Sequence, residues 1–178
     1  MRNVILMLLV LIISISCKND DPVEPAPEQL IVNGDLEVSS WGWWAQKGNT
    51  HHNVLWVDQA LKLSTEISHH TEFSFWSQSF TEFIPFGKDI TLEVRIKGDL
   101  EGQGASIALR ADDSTNNVLQ FETTQGKVPI TGEFDWTEFT VTIENVSSST
   151  SRIYIFLVFL PDTTGEVYFD DISILVRK

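Results

Sequence analysis

From position 30 onward, apolar and polar residues alternate with a period of two. Leu92, Val94 and Ile96 are interleaved with Thr91, Glu93, Arg95 and Lys97; Phe139, Val141 and Ile143 are interleaved with Thr140, Thr142 and Glu144. Successive side chains on an extended chain point to opposite faces, so this pattern predicts strands with one buried and one wetted face. Further strands are predicted over residues 61–65, 73–83, 106–110, 117–123, 152–160 and 166–176. Pro85-Phe86-Gly87, Lys97-Gly98-Asp99, Asp112-Asp113-Ser114, Thr131-Gly132 and Pro161-Asp162 carry turn chemistry between them. No stretch places apolar residues at helical spacing over three turns. The prediction is an all-β, two-sheet antiparallel β-sandwich. Residues 153–160 are apolar on both faces, which predicts a central strand with material above and below it. There is no internal repeat, and the serine-rich run 147–151 reads as a short loop.

The beginning of the chain has a different pattern. Arg2 precedes an unbroken apolar run from Val4 to Ile13, the length of a signal-peptide core and too short to span a bilayer. Ser14-Ile15-Ser16-Cys17 follows, and this stretch resembles a degenerate lipobox of bacterial lipoproteins. That resemblance implies cleavage after Ser16 and lipidation of Cys17; an ordinary secretory cut leaving a free thiol is the alternative. Lys18-Asn19-Asp20-Asp21 looks like the acidic surface-export signal of Bacteroidetes lipoproteins. Three prolines and four acidic residues between Asp20 and Gln29 read as a stiff, solvated tether. The expected organisation is signal peptide 1–16, lipidated cysteine and tether 17–29, and a β-sandwich over 30–178. The expected location is the outer membrane, lipid-anchored, at the cell surface.

Composition narrows the function classes. With 12 basic and 25 acidic residues among 178, the net charge is −13, which disfavours nucleic acid as a partner. It also disfavours adhesion to anionic lipid without a covalent anchor. A single cysteine excludes a disulfide scaffold and a cysteine-based zinc site.

Four segments, in order, resemble the galactose-binding-like jelly roll of carbohydrate-binding modules of families 4, 9 and 22. They are Leu30-Ile31-Val32-Asn33-Gly34-Asp35-Leu36-Glu37, Ile84-Pro85-Phe86-Gly87-Lys88-Asp89-Ile90-Thr91-Leu92-Glu93-Val94, Trp136-Thr137-Glu138-Phe139-Thr140-Val141-Thr142 and Gly165-Glu166-Val167-Tyr168-Phe169-Asp170-Asp171-Ile172-Ser173-Ile174. The resemblance spans about Leu30 to Val176. If the opening and closing segments pair as strands, Glu37 and Asp170 approach, and two close carboxylates need a proton or a cation. The resemblance implies a structural calcium held by Glu37, the carbonyl of Asp35 and Asp170, with Asp58 a further oxygen donor. Asp171, adjacent to Asp170 on a strand, is expected to point away.

Six tryptophans exceed what packing usually asks of a domain this size. Flat aromatic rings receive the C–H faces of pyranoses, and polar neighbours then fix orientation. The resemblance places an aromatic near Phe73 to Trp76 on the floor of a concave cleft, with Arg95 and Arg110 on neighbouring strands pointing the same way. Trp43 and Trp44 are further candidates for ligand contact, one of them expected in the core. Leu157 stands near the position where the family carries a polar side chain into the cleft. This departure implies a shallower site at the tryptophan-bearing loops, or a hydrophobic contact with a partner protein.

Catalytic signatures are few. The pairs His51-His52 and His69-His70 read as polar loop histidines, because adjacent residues on an extended chain diverge. No H-E-x-x-H, G-x-S-x-G or Gly-rich phosphate loop occurs. The charged motifs of jelly-roll polysaccharide lyases are not visible, and enzymatic activity is not expected. The sequence therefore points to non-catalytic binding of a polysaccharide or oligosaccharide by a membrane-anchored lipoprotein with a structural calcium. The rival is an adaptor subunit docking another envelope protein.

Overall fold

A computed structural model describes residues 30–177. The apolar leader, Cys17 and the tether lie outside the described residues. All regular structure is antiparallel β: β1 Trp44–Gln46, β2 Asn53–Val57, β3 Ala60–Thr65, β4 Ser74–Phe80, β5 Asp89–Asp112, β6 Val118–Thr123, β7 Ile130–Ile143, β8 Arg152–Phe159 and β9 Thr163–Arg177. The expected all-β sandwich is the observed architecture.

The 24-residue β5 organises it. Its first part pairs with β9 and β7, and the stretch from Ala105 to Asp112 pairs with β8 and β6. One layer is therefore ordered β7-β5-β9-β3-β2, and the other β6-β5-β8-β4-β1. Their inner faces meet in one core: Leu61 and Leu63 from β3, Trp76 from β4, Leu92 and Ile107 from the two parts of β5, Ile155 and Leu157 from β8, and Phe169 from β9.

The passage between layers runs through Gly102 and Gly104, both at positive φ. A Cβ on Gly102 would collide with the backbone carbonyl of Asp162, and one on Gly104 with that of Ile130. Only glycine combines that conformation with that approach. The hydroxyl of buried Thr163 accepts the Gly104 N–H at 2.9 Å, which anchors the crossing to β9. Across the crossing the buried set changes parity, from Ile90, Leu92, Val94 and Ile96 to Ala105, Ile107, Leu109 and Ala111.

Two expected turns are absent. Lys97-Gly98-Asp99 continues β5, and Thr131-Gly132 lies within β7. Gly98 permits close approach of Glu166 and Phe134 without breaking the ladder, and the register shifts there instead. Around Asp113 the expected turn forms: hydrogen bonds from Asn117 and Thr115 hold its carboxyl at about 2.

The opening segment departs from a strand. Asn33 and Leu36 adopt positive φ, while Ile31 and Leu36 are buried. Indole N–H groups pin it: Trp43 donates to the Asn33 carbonyl at 3.1 Å and Trp56 to that of Leu36 at 3.0 Å. Its link to β9 is a single bond, Ile172 N–H to the Gly34 carbonyl at 2.9 Å. That donor is free because β9 bulges: Asp171 and Ile172 together stand opposite Val94, with Asp171 at positive φ.

Substituting Gly102 by Ala is expected to lower stability by at least about 2 kcal/mol, combining left-handed strain with a backbone collision. Gly126→Ala, at a positive-φ site with nothing within 4 Å, carries the strain alone and should cost about 1 kcal/mol. Equal losses in denaturant titrations of the two variants would show that no close approach constrains the crossing.

Candidate functional site

β8 exposes what the core does not take. Ile153, Ile155, Leu157 and Phe159 face inward, leaving Tyr154, Phe156 and Val158 on the outer face. The expectation that both faces of this strand are covered is thus corrected. No element covers the outer face among the described residues, and it forms the floor of a groove.

Cross-strand register builds that floor in rows. Trp44, Ser77, Phe156, Ala108 and Thr123 form one row; Gln46, Phe75, Val158 and Ser106 the next; Ser79, Tyr154, Arg110 and Phe121 a third. Arg152 and Asp112 pair at the end. The aromatic rings are continuous. Trp44 meets Phe75 edge-on at 5.5 Å, Phe75 meets Phe156 at 5.5 Å, and Tyr154 stacks on Phe156 at 5.8 Å. Two adjoining depressions share Arg110 and Phe156. The one walled by Trp44, Ser77, Ser79, Arg152 and Tyr154 has a volume of about 600 Å³. The one lined by Phe73, Phe75, Phe121, Val158 and Leu160 has about 280 Å³ and is mostly apolar.

Arg110 ties the two together. Its guanidinium lies 4.5 Å from the Tyr154 centroid and 5.5 Å from that of Phe156. It also donates to Asp112 Oδ2 at 2.8 Å, and Asp112 is only 1% exposed. Arg152 donates to the Tyr154 hydroxyl at 2.9 Å and lies 5.6 Å from the same ring. The site thus combines flat apolar surfaces with guanidinium and hydroxyl donors.

The expected ligand-contact residues separate into two groups. Trp44, Phe73 and Arg110 come together in the groove; Trp44 is 57% exposed. Trp76 and Trp43 do not, being 5% and 7% exposed within the core. Trp76 stands one residue out of phase with Phe75, so its ring enters the sandwich and its N–H donates to the Lys62 carbonyl. Arg95 is also elsewhere: it lies on the other layer, bonded to Asp171 at 2.7 Å and set 5.5 Å from the Trp136 ring. Arg95 and Arg110 share a strand yet not a face, because β5 changes layer between them. Leu157 is buried in the core and not in the groove. Sequence reasoning missed Phe75, Phe121, Tyr154, Phe156 and Arg152. The alternation along 152–158 carried the signal for the last three.

At the β9 bulge, Asp170 feels the charge of Glu37. Burial raises the Asp170 carboxyl above its ordinary range, and the charges of Asp171 and Glu37 push it further. Its Oδ1 accepts the Asp171 N–H at 2.8 Å, while Asp171 engages Arg95, the residue opposite Asp170 in the ladder; the bulge thus brings Asp171 to the same face as Asp170 and not away from it as expected. Gln59, from the β2–β3 turn, donates to Glu37 Oε2 at 2.9 Å. Asp35 and Asp58 are exposed. Among the described residues no three His, Cys, Asp or Glu side chains form a metal-binding group, so Asp58 does not join the other two carboxylates. Two carboxylates lacking a basic hydrogen-bond partner, beside a backbone turn, fit a hard, oxygen-seeking cation.

His52 and His70 lie in loops as expected and diverge from exposed His51 and His69, yet they are buried, with rings edge-on at 4.2 Å and both against Phe159. The ring nitrogens of His70 face the carbonyls of Glu72 at 3.1 Å and Thr163 at 2.9 Å. His52 bonds Ser74 Oγ through Nδ1 and faces the Asn49 amide through Nε2.

No protein-family model and no curated protein sequence matches the chain. Solved structures do share its fold. The structure titled "CBM4 structure and function" superposes with a TM-score of 0.55 at 17% identity, over 83% of this chain and 99% of that one. TmCBM61 in complex with β-1,4-galactotriose superposes at 0.55 with 18% identity, over 85% and 99%. The enzymatically active domain of tailspike protein 4 of bacteriophage CBA120 superposes at 0.59 with 14% identity; 83% of this chain covers 21% of that one. The described residues have the jelly-roll sandwich fold of carbohydrate-binding modules.

Burial, and then the neighbouring His70, hold His52 below its ordinary value of 6.5. The unfolded chain therefore takes up this proton first on acidification. The stability contributed by neutral His52 is complete above pH 6.5 and is lost as pH falls through the depressed folded value. His52→Asn should flatten the dependence of Tm on pH just below 6.5 relative to the native chain; an unchanged slope would refute the linkage.

Proposed function

We propose that this chain binds glycan without cleaving it, using the groove on the outer face of the β6-β5-β8-β4-β1 layer. The observation that carries the reading is the uncovered aromatic floor running from Trp44 through Phe75 and Phe156 to Tyr154, bordered by hydroxyl and guanidinium donors. Sugar rings stack on such surfaces and hydrogen-bond at their edges. The complex of TmCBM61 with β-1,4-galactotriose supports the reading through shared fold alone. Among the described residues no carboxylate lines the two depressions and Asp112 alone ends their rows, whereas glycosidic cleavage ordinarily uses a pair.

A calcium ion held by Glu37, Asp170 and the Asp35 carbonyl is the structural part of the proposal. The ion would neutralise the mutual repulsion of the carboxylates and clamp the opening segment to β9. Lipidation of Cys17 would hold the domain at the outer membrane, at the end of the acidic, proline-rich tether.

Titration of the full chain with plant and algal polysaccharides should quench tryptophan fluorescence and retard migration in affinity gels. Trp44→Ala should weaken binding by about tenfold or more, the scale of a lost aromatic platform. No response across a broad panel, with or without calcium, would replace this reading with docking of an envelope protein on the apolar depression.

Calcium should raise Tm, and chelation should lower it. Asp170→Asn should behave with opposite sign in the two conditions. In chelator it relieves burial of a charge and repulsion from Glu37, raising Tm; with calcium it removes a ligand and abolishes the calcium-dependent increase. An Asp170→Asn chain with native calcium response would exclude the site.

A further inference from the structure

Resting on the glycan reading, we infer that the groove selects polysaccharides bearing carboxylates, that is, chains containing uronic acid residues. The observation is a local reversal of charge. The whole chain carries −13, with 25 acidic residues. Yet the lining of the two depressions brings two arginines, Arg110 and Arg152, against the Tyr154 ring, and among the described residues no acid lines either depression. Asp112, at the end of the row, is 1% exposed and already accepts from Arg110 through Oδ2, so it cannot meet a ligand as a free charge. The two guanidinium charges against one carboxylate leave a net +1 at this end of the groove.

The donors are also incompletely used. Arg110 spends Nη2 on Asp112; its Nε is buried out of a ligand's reach, which leaves Nη1 for the groove. Arg152 spends one nitrogen on the Tyr154 hydroxyl and is half-exposed. Guanidinium presents a planar fork that matches a carboxylate in two-point contact. Stacking on aromatic rings holds both forks in place, so little side-chain freedom is lost on binding. A pyranose seated on the aromatic floor between Trp44 and Tyr154 would place an equatorial carboxylate at the groove's arginine end. Neutral sugars would use the same floor and lose only the two-point contact. The acids elsewhere on the surface do not cancel this preference at ordinary salt, because charges more than about 8 Å away are screened.

The experiment compares matched pairs at about 0.15 M salt, using polygalacturonate against the same polymer after carboxyl reduction, and glucuronoxylan against unsubstituted xylan. The expected result is about tenfold tighter binding to at least one acidic member than to its neutral partner. Arg152→Gln should narrow that ratio, and the ratio itself is the readout, because it cancels any general effect on the floor. Polyglutamate, a polyanion without sugar rings, should not compete. Equal or tighter binding of the neutral members overturns the inference while leaving glycan binding intact, as does an unchanged ratio in Arg152→Gln or competition by polyglutamate. Failure of every polysaccharide to bind overturns both.

Discussion

The passage of β5 from one layer to the other is the constraint on which the rest depends. One strand lies inside both sheets, next to the edge strand of each, so the layers cannot slide or separate without breaking its ladders to β7, β8 and β9. Gly102 and Gly104 make this possible at the cost of two left-handed residues in contact with neighbouring backbone. Because the crossing is covalent and locked by Thr163, the register of β8 against β5 follows from it. That register sets Arg110 beside Tyr154 and Phe156 beside Ala108, so the groove floor is a consequence of the crossing.

Much of this was legible from alternation alone. The strands at 61–65, 117–123 and 152–160 lie within a residue or two of their observed bounds, because each has a uniform local environment. Alternation fails where parity shifts. Between Leu100 and Ala105 the buried set changes from even to odd positions, and a period-two reading can only split such a strand and place a turn in it. The bulge at Asp171 does the same on β9, with Phe169 and Ile172 both inward. Both shifts depend on contacts with residues far away in sequence, which a window of a few residues does not contain.

The candidate site was legible in part for a related reason. Residues 153–160 are apolar on both faces, but periodicity does not distinguish a face covered by protein from one left open. The aromatic residues differ by phase. Trp76 and Phe75 are adjacent, and the pairing of β4 with β8 alone decides that the tryptophan fills the core while the phenylalanine joins the floor. Likewise the abundance of tryptophan reads as recognition chemistry until Trp43 and Trp56 are seen donating to the carbonyls of an opening segment that lacks a ladder. An irregular segment must satisfy its backbone groups somewhere, and long side chains with a single buried donor do so here.

Between the two proposed occupants of this face, the chemistry of the floor favours a sugar over a protein. A protein interface core is depleted of charge and filled by side chains that interdigitate. The floor here sets exposed Ser79 beside Tyr154, whose hydroxyl meets the Arg152 guanidinium at the same end, while Ser77 and Ser106 lie buried and already hydrogen-bonded beneath the rings. Such a surface is flat between its rings and keeps its accessible polar groups, Ser79, Tyr154 and Arg152, at one end. A saccharide presents the complement, an apolar ring face fringed by hydroxyls. An apolar partner side chain would leave the Ser79 hydroxyl and the Arg152 guanidinium to be desolvated without replacement, at a cost that its apolar contacts would first have to offset. The depression lined by Phe73, Phe75 and Phe121 lacks that penalty, which makes it the one part of the face where an apolar group, on a glycan or on a protein, is equally well received.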